Sequence, residues 1–210
     1  MRLAILGTGS VGGTLGRRWS ALGHEICFGA RDPRSAKVRA LVQSVGGTAR
    51  AVGLREAVAD VEVVVLATPA DAHEAVVRAV GGLQGRIVID ATNPLKPGLA
   101  GLAVEPDSSG AEALARLAKG ARVYKALNQT GWEIMADPVF PGGRAVMFVA
   151  GDEPDGKAIV LGLVAALGFE AVDAGGLAAA RWLEPLALLW IRTTIRDRDG
   201  RHTAFGLLRR

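Results

Sequence analysis

A chain of 210 residues, half of them apolar, has room for one large domain or for a nucleotide-binding core with a small second lobe. Its net charge of +4 comes without any basic run interleaved with aromatics, which points to anionic small molecules as partners rather than nucleic acid. A single cysteine, Cys27, excludes an internal disulfide, no apolar run nears the roughly 18 residues that span a bilayer, and the opening residues are too few for a signal peptide, so a cytoplasmic protein without membrane partners is expected.

The chain opens on apolar Leu3-Ala4-Ile5-Leu6 and runs directly into Gly7-Thr8-Gly9-Ser10-Val11-Gly12-Gly13. Leu15, Trp19 and Leu22 follow at helical spacing, and Ile26-Cys27-Phe28 makes a second apolar run. Strand, glycine turn, helix and strand in that order are the context in which G-x-G-x-x-G becomes a dinucleotide-binding fingerprint. Gly7 is expected to permit the tight turn, Gly9 to let a pyrophosphate approach, and Gly12 to let helix and strand pack closely, while free N–H groups and the helix dipole hold the anion.

The end of the second strand reads Phe28-Gly29-Ala30-Arg31-Asp32-Pro33-Arg34. An NAD site places Asp or Glu about 20 residues past the glycines to accept from the ribose 2′-OH. Here that position falls at or beside Ala30, where no carboxylate repels a phosphate, and Arg31 follows with a guanidinium that grips one bidentately. The pattern favours NADP over NAD. Arg34, Ser35 and Lys37 add charge or N–H donors at the start of the next helix, and Asp32, the residue that argues the other way, reads as that helix's N-cap beside Pro33.

Further along, a helix is expected from Ala36 to the Gly46-Gly47 pair, a short strand over 48–52 and a helical turn over 54–59. Val61 to Ala67 is β-branched and nearly continuous, as a strand covered on both faces reads. It ends in Thr68-Pro69-Ala70-Asp71-Ala72-His73, a loop expected to face the ligand crevice at the carboxyl ends of the strands, with a helix over 72–80 after it. His73 has two readings, a contact with the nicotinamide ribose or an ordinary first-turn helix residue. A strand over 86–90 leads to Ala91-Thr92-Asn93-Pro94-Leu95, where Asn93, held extended by the proline, either points its amide into the crevice or merely ends the strand. Residues 97–110 lack periodicity and form a long loop, a candidate lid.

A helix over 111–118 and a strand over 122–127 precede Asn128-Gln129-Thr130-Gly131-Trp132, a polar and flat wall suited to a planar heterocycle, or else a turn with a packed Trp. A strand over 145–151, a helix over 153–167 and a strand over 169–172 complete the alternation, and a final helix begins near Leu177. It carries Trp182, Leu183, Leu186, Leu189, Trp190 and Ile191 before turning basic at Arg192, Arg196, Arg198 and Arg201. So wide an apolar surface suggests a homodimer. No residues have metal-ligand spacing, and no nucleophile motif appears.

Taken together, Gly7-Thr8-Gly9 to Gly12, Gly23-His24-Glu25, Gly29-Ala30-Arg31, Ala67-Thr68-Pro69 with His73, Asp90 to Leu95, Lys125-Ala126-Leu127-Asn128, Val149 to Asp152 and Glu184-Pro185-Leu186 resemble the NADPH-dependent coenzyme F420 reductase family, related in turn to the reductase domain of the Steap metalloreductases. The resemblance covers essentially the whole chain. It implies an α/β fold, a Rossmann-type doubly wound and mostly parallel sheet over 1–120, with a smaller C-terminal helical and strand extension over 121–210. It also implies hydride transfer between NADP(H) and a deazaflavin (coenzyme F420) or flavin co-substrate, with no side chain assigned to catalysis. Thr8, Gly9, Ser10, Val11 and Gly12 would hold the pyrophosphate and Arg31 the 2′-phosphate. Arg34 or Ser35 would compensate for Ala30, which stands where the family often has Ser. Thr68, Pro69, His73, Asn93 and Pro94 would line the nicotinamide, and Asn128, Gln129 and Thr130 the second ring. Rival readings are an NADPH-dependent flavin or ferric reductase and a non-catalytic NADP sensor.

Overall fold

The computed structural model describes residues 1–105, 107–196 and 200–210. Its first half alternates strictly: β1 (Arg2–Leu6), α1 (Ser10–Ala21), β2 (Glu25–Gly29), α2 (Ala36–Val45), β3 (Arg50–Val52), α3 (Leu54–Ala57), β4 (Val63–Leu66), α4 (His73–Val80), β5 (Ile87–Asp90), α5 (Gly110–Leu117) and β6 (Arg122–Lys125). Then come α6 (Trp132–Ala136), β7 (Val139–Phe140), β8 (Gly143–Arg144), β9 (Val146–Gly151), α7 (Pro154–Ala166), β10 (Glu170–Asp173) and α8 (Ala180–Arg196).

An 8-stranded sheet in the order β10-β9-β6-β5-β4-β1-β2-β3 forms the centre. The strands β1 to β6 run parallel, β9 joins β6 antiparallel, and β10 is parallel to β9. The apolar runs of β1, β4 and β5 are buried because helices cover both faces, the condition a mostly parallel sheet requires. Strand order reverses between β1 and β4, so their carboxyl ends flank a crevice. The sequence boundary at 120/121 falls between α5 and β6 within this one sheet.

The reversed strands are anchored by two large side chains. The Trp19 indole N–H donates to the Leu163 carbonyl at 3.2 Å, pinning α1 to α7. Tyr124 on β6 lies where Gly151 and Gly156 have no Cβ, and its hydroxyl donates to the Glu153 carbonyl at 3.0 Å.

Three features depart from the periodicity. α6 and the β7–β8 hairpin occupy stretches where no helix or strand is expected, and the last helix starts at Ala180 after a tight turn over Leu177–Ala179. The loop over 97–110 is tied near its base by a Leu95–Leu102 bridge and by the Ala103 amide donating to the Pro94 carbonyl. Arg198 of the basic tail lies outside the described residues.

Candidate functional site

The glycine turn separates structural from ligand-facing positions. Gly7 sits at φ 125°, where any Cβ would strike the Ala67 carbonyl, and a Cβ on Gly12 would strike the Gly7 carbonyl oxygen. At Gly9 a Cβ would meet nothing within 4 Å, so the space above it is open. Helix α1 starts from Gly9 with no side-chain cap and no acidic residue in its first turn. The Ser10, Val11 and Gly12 amides therefore have no intrahelical acceptor and face that space with the positive end of the helix dipole. Thr8 is half-buried beside them. An uncapped N-terminus beneath an open glycine fits a pyrophosphate.

At the end of β2, Ala30 is buried and its amide donates to the Val52 carbonyl at 3.0 Å, while Arg31 is exposed and has no partner among the described residues. Asp32 does not cap α2. Its carboxylate accepts from the Arg34 amide at 3.1 Å, and the Ser35 hydroxyl donates to the Asp32 carbonyl at 3.0 Å, so 32–35 closes as its own turn and Ser35 begins the helix. Arg34 stays exposed. Ala30 and Arg31 line a shallow cleft of about 630 Å³ together with Arg55 on α3, a second guanidinium without a partner among the described residues.

Beyond β4, the Thr68 hydroxyl is buried without a hydrogen bond, as is that of Thr130 after β6. Such orphaned hydroxyls are rare where no ligand or water serves them. The neighbouring amides bond one another and the backbone around them. Asn93 donates to the Asn128 carbonyl at 2.8 Å, Asn128 returns a bond to Asn93 Oδ1 at 2.9 Å, and Gln129 Nε2 donates to Asn128 Oδ1. Gln129 also clamps β9, accepting from the Phe148 amide at 2.9 Å and donating to its carbonyl at 3.0 Å. Its side chain is therefore buried in the wall rather than turned to the crevice. Leu127, at φ 61°, turns the chain into this clasp in a conformation that side chains rarely adopt.

Pro69, His73, Asn93 and Pro94 line one end of a cleft of about 720 Å³, which continues between α4 and α5 beneath the 95–109 loop. Directly under it lie three charged side chains that are 0% exposed: Asp90, Lys125 and Glu184. Lys125 Nζ donates to Asp90 Oδ2 at 2.7 Å, to the Thr92 carbonyl at 2.8 Å and contacts Glu184 Oε1 at 2.8 Å. Glu184, reaching from α8, accepts the Gly110 and Ala111 amides at the start of α5. Asp90 Oδ1 accepts from the Thr92 hydroxyl at 2.7 Å, and that hydroxyl is 3.2 Å from His73 Nε2. Burial raises the Asp90 pKa, but the Lys125 ammonium, His73 and the hydrogen bonds from Lys125 and Thr92 more than offset it and hold the carboxyl below its ordinary range. Burial lowers that of His73, with Lys125 adding to the effect and Asp90, Glu184 and Asp71 opposing it, so the ring is neutral at pH 7. The contact at 3.9 Å between His73 and Asp90 is then not an ion pair at neutral pH.

The charged knot was visible in sequence only as Asp90 and Lys125 ending apolar strands and Glu184 within an apolar helix. Charged residues in such settings need partners, but their identity requires the fold.

Comparison with known proteins locates this arrangement. Residues 2–94 match the family described as NADP oxidoreductase, coenzyme F420-dependent. Over its length the chain is 31% identical to the F420-dependent NADP reductase of Methanothermobacter marburgensis, covering 94% of each protein. It is also 31% identical to the metalloreductase STEAP3 of Rattus norvegicus, across 90% of this chain and 37% of that one. A crystal structure of a putative F420-dependent NADP-reductase from Arthrobacter sp. FB24 superposes over 100% of both chains with a TM-score of 0.91 at 31% identity. A reductive aminase from Aspergillus terreus, at 24% identity and a TM-score of 0.69, shares the fold.

Proposed function

The chain belongs to the family of coenzyme F420-dependent NADP oxidoreductases, and from that membership we propose that it moves hydride between NADP(H) and a deazaflavin of the coenzyme F420 class. The observation that carries the reading is the open space at Gly9 over uncapped α1 amides, continued along the strand ends to the orphaned Thr68 hydroxyl and the cleft beside Pro69, Asn93 and Pro94.

The dinucleotide would supply the hydride carrier; this chain binds and orients it. The Thr8 to Gly12 backbone would hold the pyrophosphate, and Arg31, with Arg34 and Ser35 nearby, the 2′-phosphate. Thr68, His73 and Asn93 would border the nicotinamide, and Asn128 and Thr130 the second ring, with Gln129 holding that wall to β9. Hydride transfer needs alignment and exclusion of water rather than an acid–base dyad, which suits a crevice whose amides are locked to one another. The exposed Trp182, Leu189 and Ile195 on α8 support a homodimer. Among the described residues no helix is long and apolar enough to cross a membrane, in keeping with a cytoplasmic enzyme.

The likeness to a metalloreductase favours a second reading, with an ordinary flavin or ferric chelate as acceptor. NADPH oxidation followed by absorbance, with coenzyme F420, FMN, FAD and ferric chelate offered separately, decides between them. Turnover with coenzyme F420 supports the first reading and turnover with the others alone the second. Tight NADPH binding with no turnover would leave a cofactor sensor.

A further inference from the structure

The knot under the cleft determines where one proton sits. The Thr92 hydroxyl has a single hydrogen, and Asp90, held ionised by Lys125, can only accept; at 2.7 Å that hydrogen belongs to Asp90 Oδ1. The 3.2 Å contact between the Thr92 oxygen and His73 Nε2 is then a hydrogen bond only if Nε2 is the donor. A neutral imidazole carries one N–H, so Nδ1 is left as a bare acceptor. Nδ1 has no partner among the described residues and is not among the buried unpartnered atoms, and His73 lines the cleft beside Asn93 and Pro94. The chain of cause continues away from the cleft. Lys125 has its three hydrogens directed to Asp90, the Thr92 carbonyl and Glu184, and Glu184 is itself fixed by the first amides of α5.

We propose that Lys125 and Glu184 are positioning residues which, through Asp90 and Thr92, hold His73 as the Nε2–H tautomer and present its Nδ1 to the cleft as an acceptor for a ligand amide or imide N–H. Both a nicotinamide carboxamide and a deazaflavin ring carry such a group. The inference rests on the cleft being where the redox partners meet, and it adds an oriented acceptor to the wall that His73 forms with Pro69, Asn93 and Pro94. Residues that orient a functional histidine from behind commonly matter nearly as much as the histidine itself.

Long-range proton–nitrogen NMR on the full-length protein reads the tautomer directly, with His73→Gln assigning the signal. The wild type should show the proton on Nε2. Thr92→Val, which removes no buried charge, should abolish the fixed tautomer and lower kcat/KM about tenfold, while affinity for 2′,5′-ADP, a probe of the phosphate end alone, stays unchanged. The pair Lys125→Met with Glu184→Gln, which removes one charge of each sign and leaves Asp90 free to take up a proton, should do the same; if it fails to fold, Thr92→Val decides. NADP⁺ alone, then NADP⁺ with coenzyme F420, should shift the Nδ1 resonance at whichever addition brings the N–H donor. A proton on Nδ1 in the wild type, a tautomer unmoved by Thr92→Val, or an Nδ1 signal indifferent to both ligands overturns the proposal. Failure of the wild type to bind 2′,5′-ADP would instead sink the cofactor reading and leave the tautomer result standing.

Discussion

Two glycines in one turn should respond differently to the same methyl group. Gly12→Ala drives a Cβ into the Gly7 carbonyl, with backbone on both sides and nothing flexible to yield, so thermal melts should show a large loss of stability. Gly9→Ala meets nothing within 4 Å and should melt like the wild type, yet bind NADPH weakly in a fluorescence titration because the methyl enters the proposed pyrophosphate space. A Gly9→Ala protein with unaltered affinity would contradict the cradle. The proposed 2′-phosphate contact is equally local. Arg31→Ala should reduce the preference for NADPH over NADH by roughly 10- to 100-fold, the equivalent of about 1.5 to 3 kcal/mol for a hydrogen bond to a charged group. Arg55, which lines the same cleft, is the control cation: if Arg55→Ala rather than Arg31→Ala erases the preference in steady-state kinetics, the phosphate lies on α3 instead.

Between elements, the knot joins β5, β6, α5 and α8 in one place. Truncating Glu184 to Ala strips Lys125 of an ion-pair partner and leaves the Gly110 and Ala111 amides uncapped. A loss of about 3 to 5 kcal/mol in urea unfolding is expected, as for other broken buried pairs. The outer pair between Arg181 and Glu112, which also joins α8 to α5 but stands partly in solvent, should matter far less. Acid should weaken the protein through the same knot. Burial lowers the folded-state pKa of His73, so its contribution is present above the ordinary histidine value of 6.5 and is lost as pH falls through the folded value. Asp90, depressed by its partners despite burial, adds a second loss below 3.8. His24 is lowered by burial too, in the same direction, so the comparison that isolates the effect is wild type against His73→Gln. Urea midpoints measured across pH should fall less steeply between neutrality and pH 5 in that variant; identical slopes would place the sensitivity elsewhere.

At the scale of the molecule, α8 is two-sided. Leu183, Ala187 and Trp190 are buried, while Trp182 and Leu189 are 72% and 53% exposed. Proline at 185 is accommodated within the helix, and the Trp190 indole N–H donates to the Thr203 carbonyl at 2.8 Å, tying the buried face to the C-terminal segment. If that face joins two copies, Trp182→Arg with Leu189→Arg should give a monomer in sedimentation equilibrium with an unchanged fold by circular dichroism. A doubly substituted protein that still dimerises would remove α8 from the interface.

Much of this protein is written locally in its chain. Buried strands need continuous apolar runs, so β1, β2, β4, β5 and β9 announce themselves, and the glycine turn is legible because Gly7 and Gly12 answer clashes within a few residues or across one neighbouring strand, while Gly9 leaves open space. The alternation of strand and helix then implies the doubly wound sheet. Short elements escaped: α6 has five residues and β7 two, too few for any period to show. Side-chain direction escaped as well. Gln129 reads as a polar wall residue, but Phe148 on β9, 19 residues on, supplies backbone groups that capture its amide at 2.9 and 3.0 Å. The knot is the fullest case. Asp90, Lys125 and Glu184 are separated by long stretches of chain, and nothing near any of them in sequence says that an ammonium will find two carboxylates in the dark. Only the packing of α8 across the ends of β5 and β6 brings the charges together, because a charge buried by one element must be answered by another that folding delivers to it.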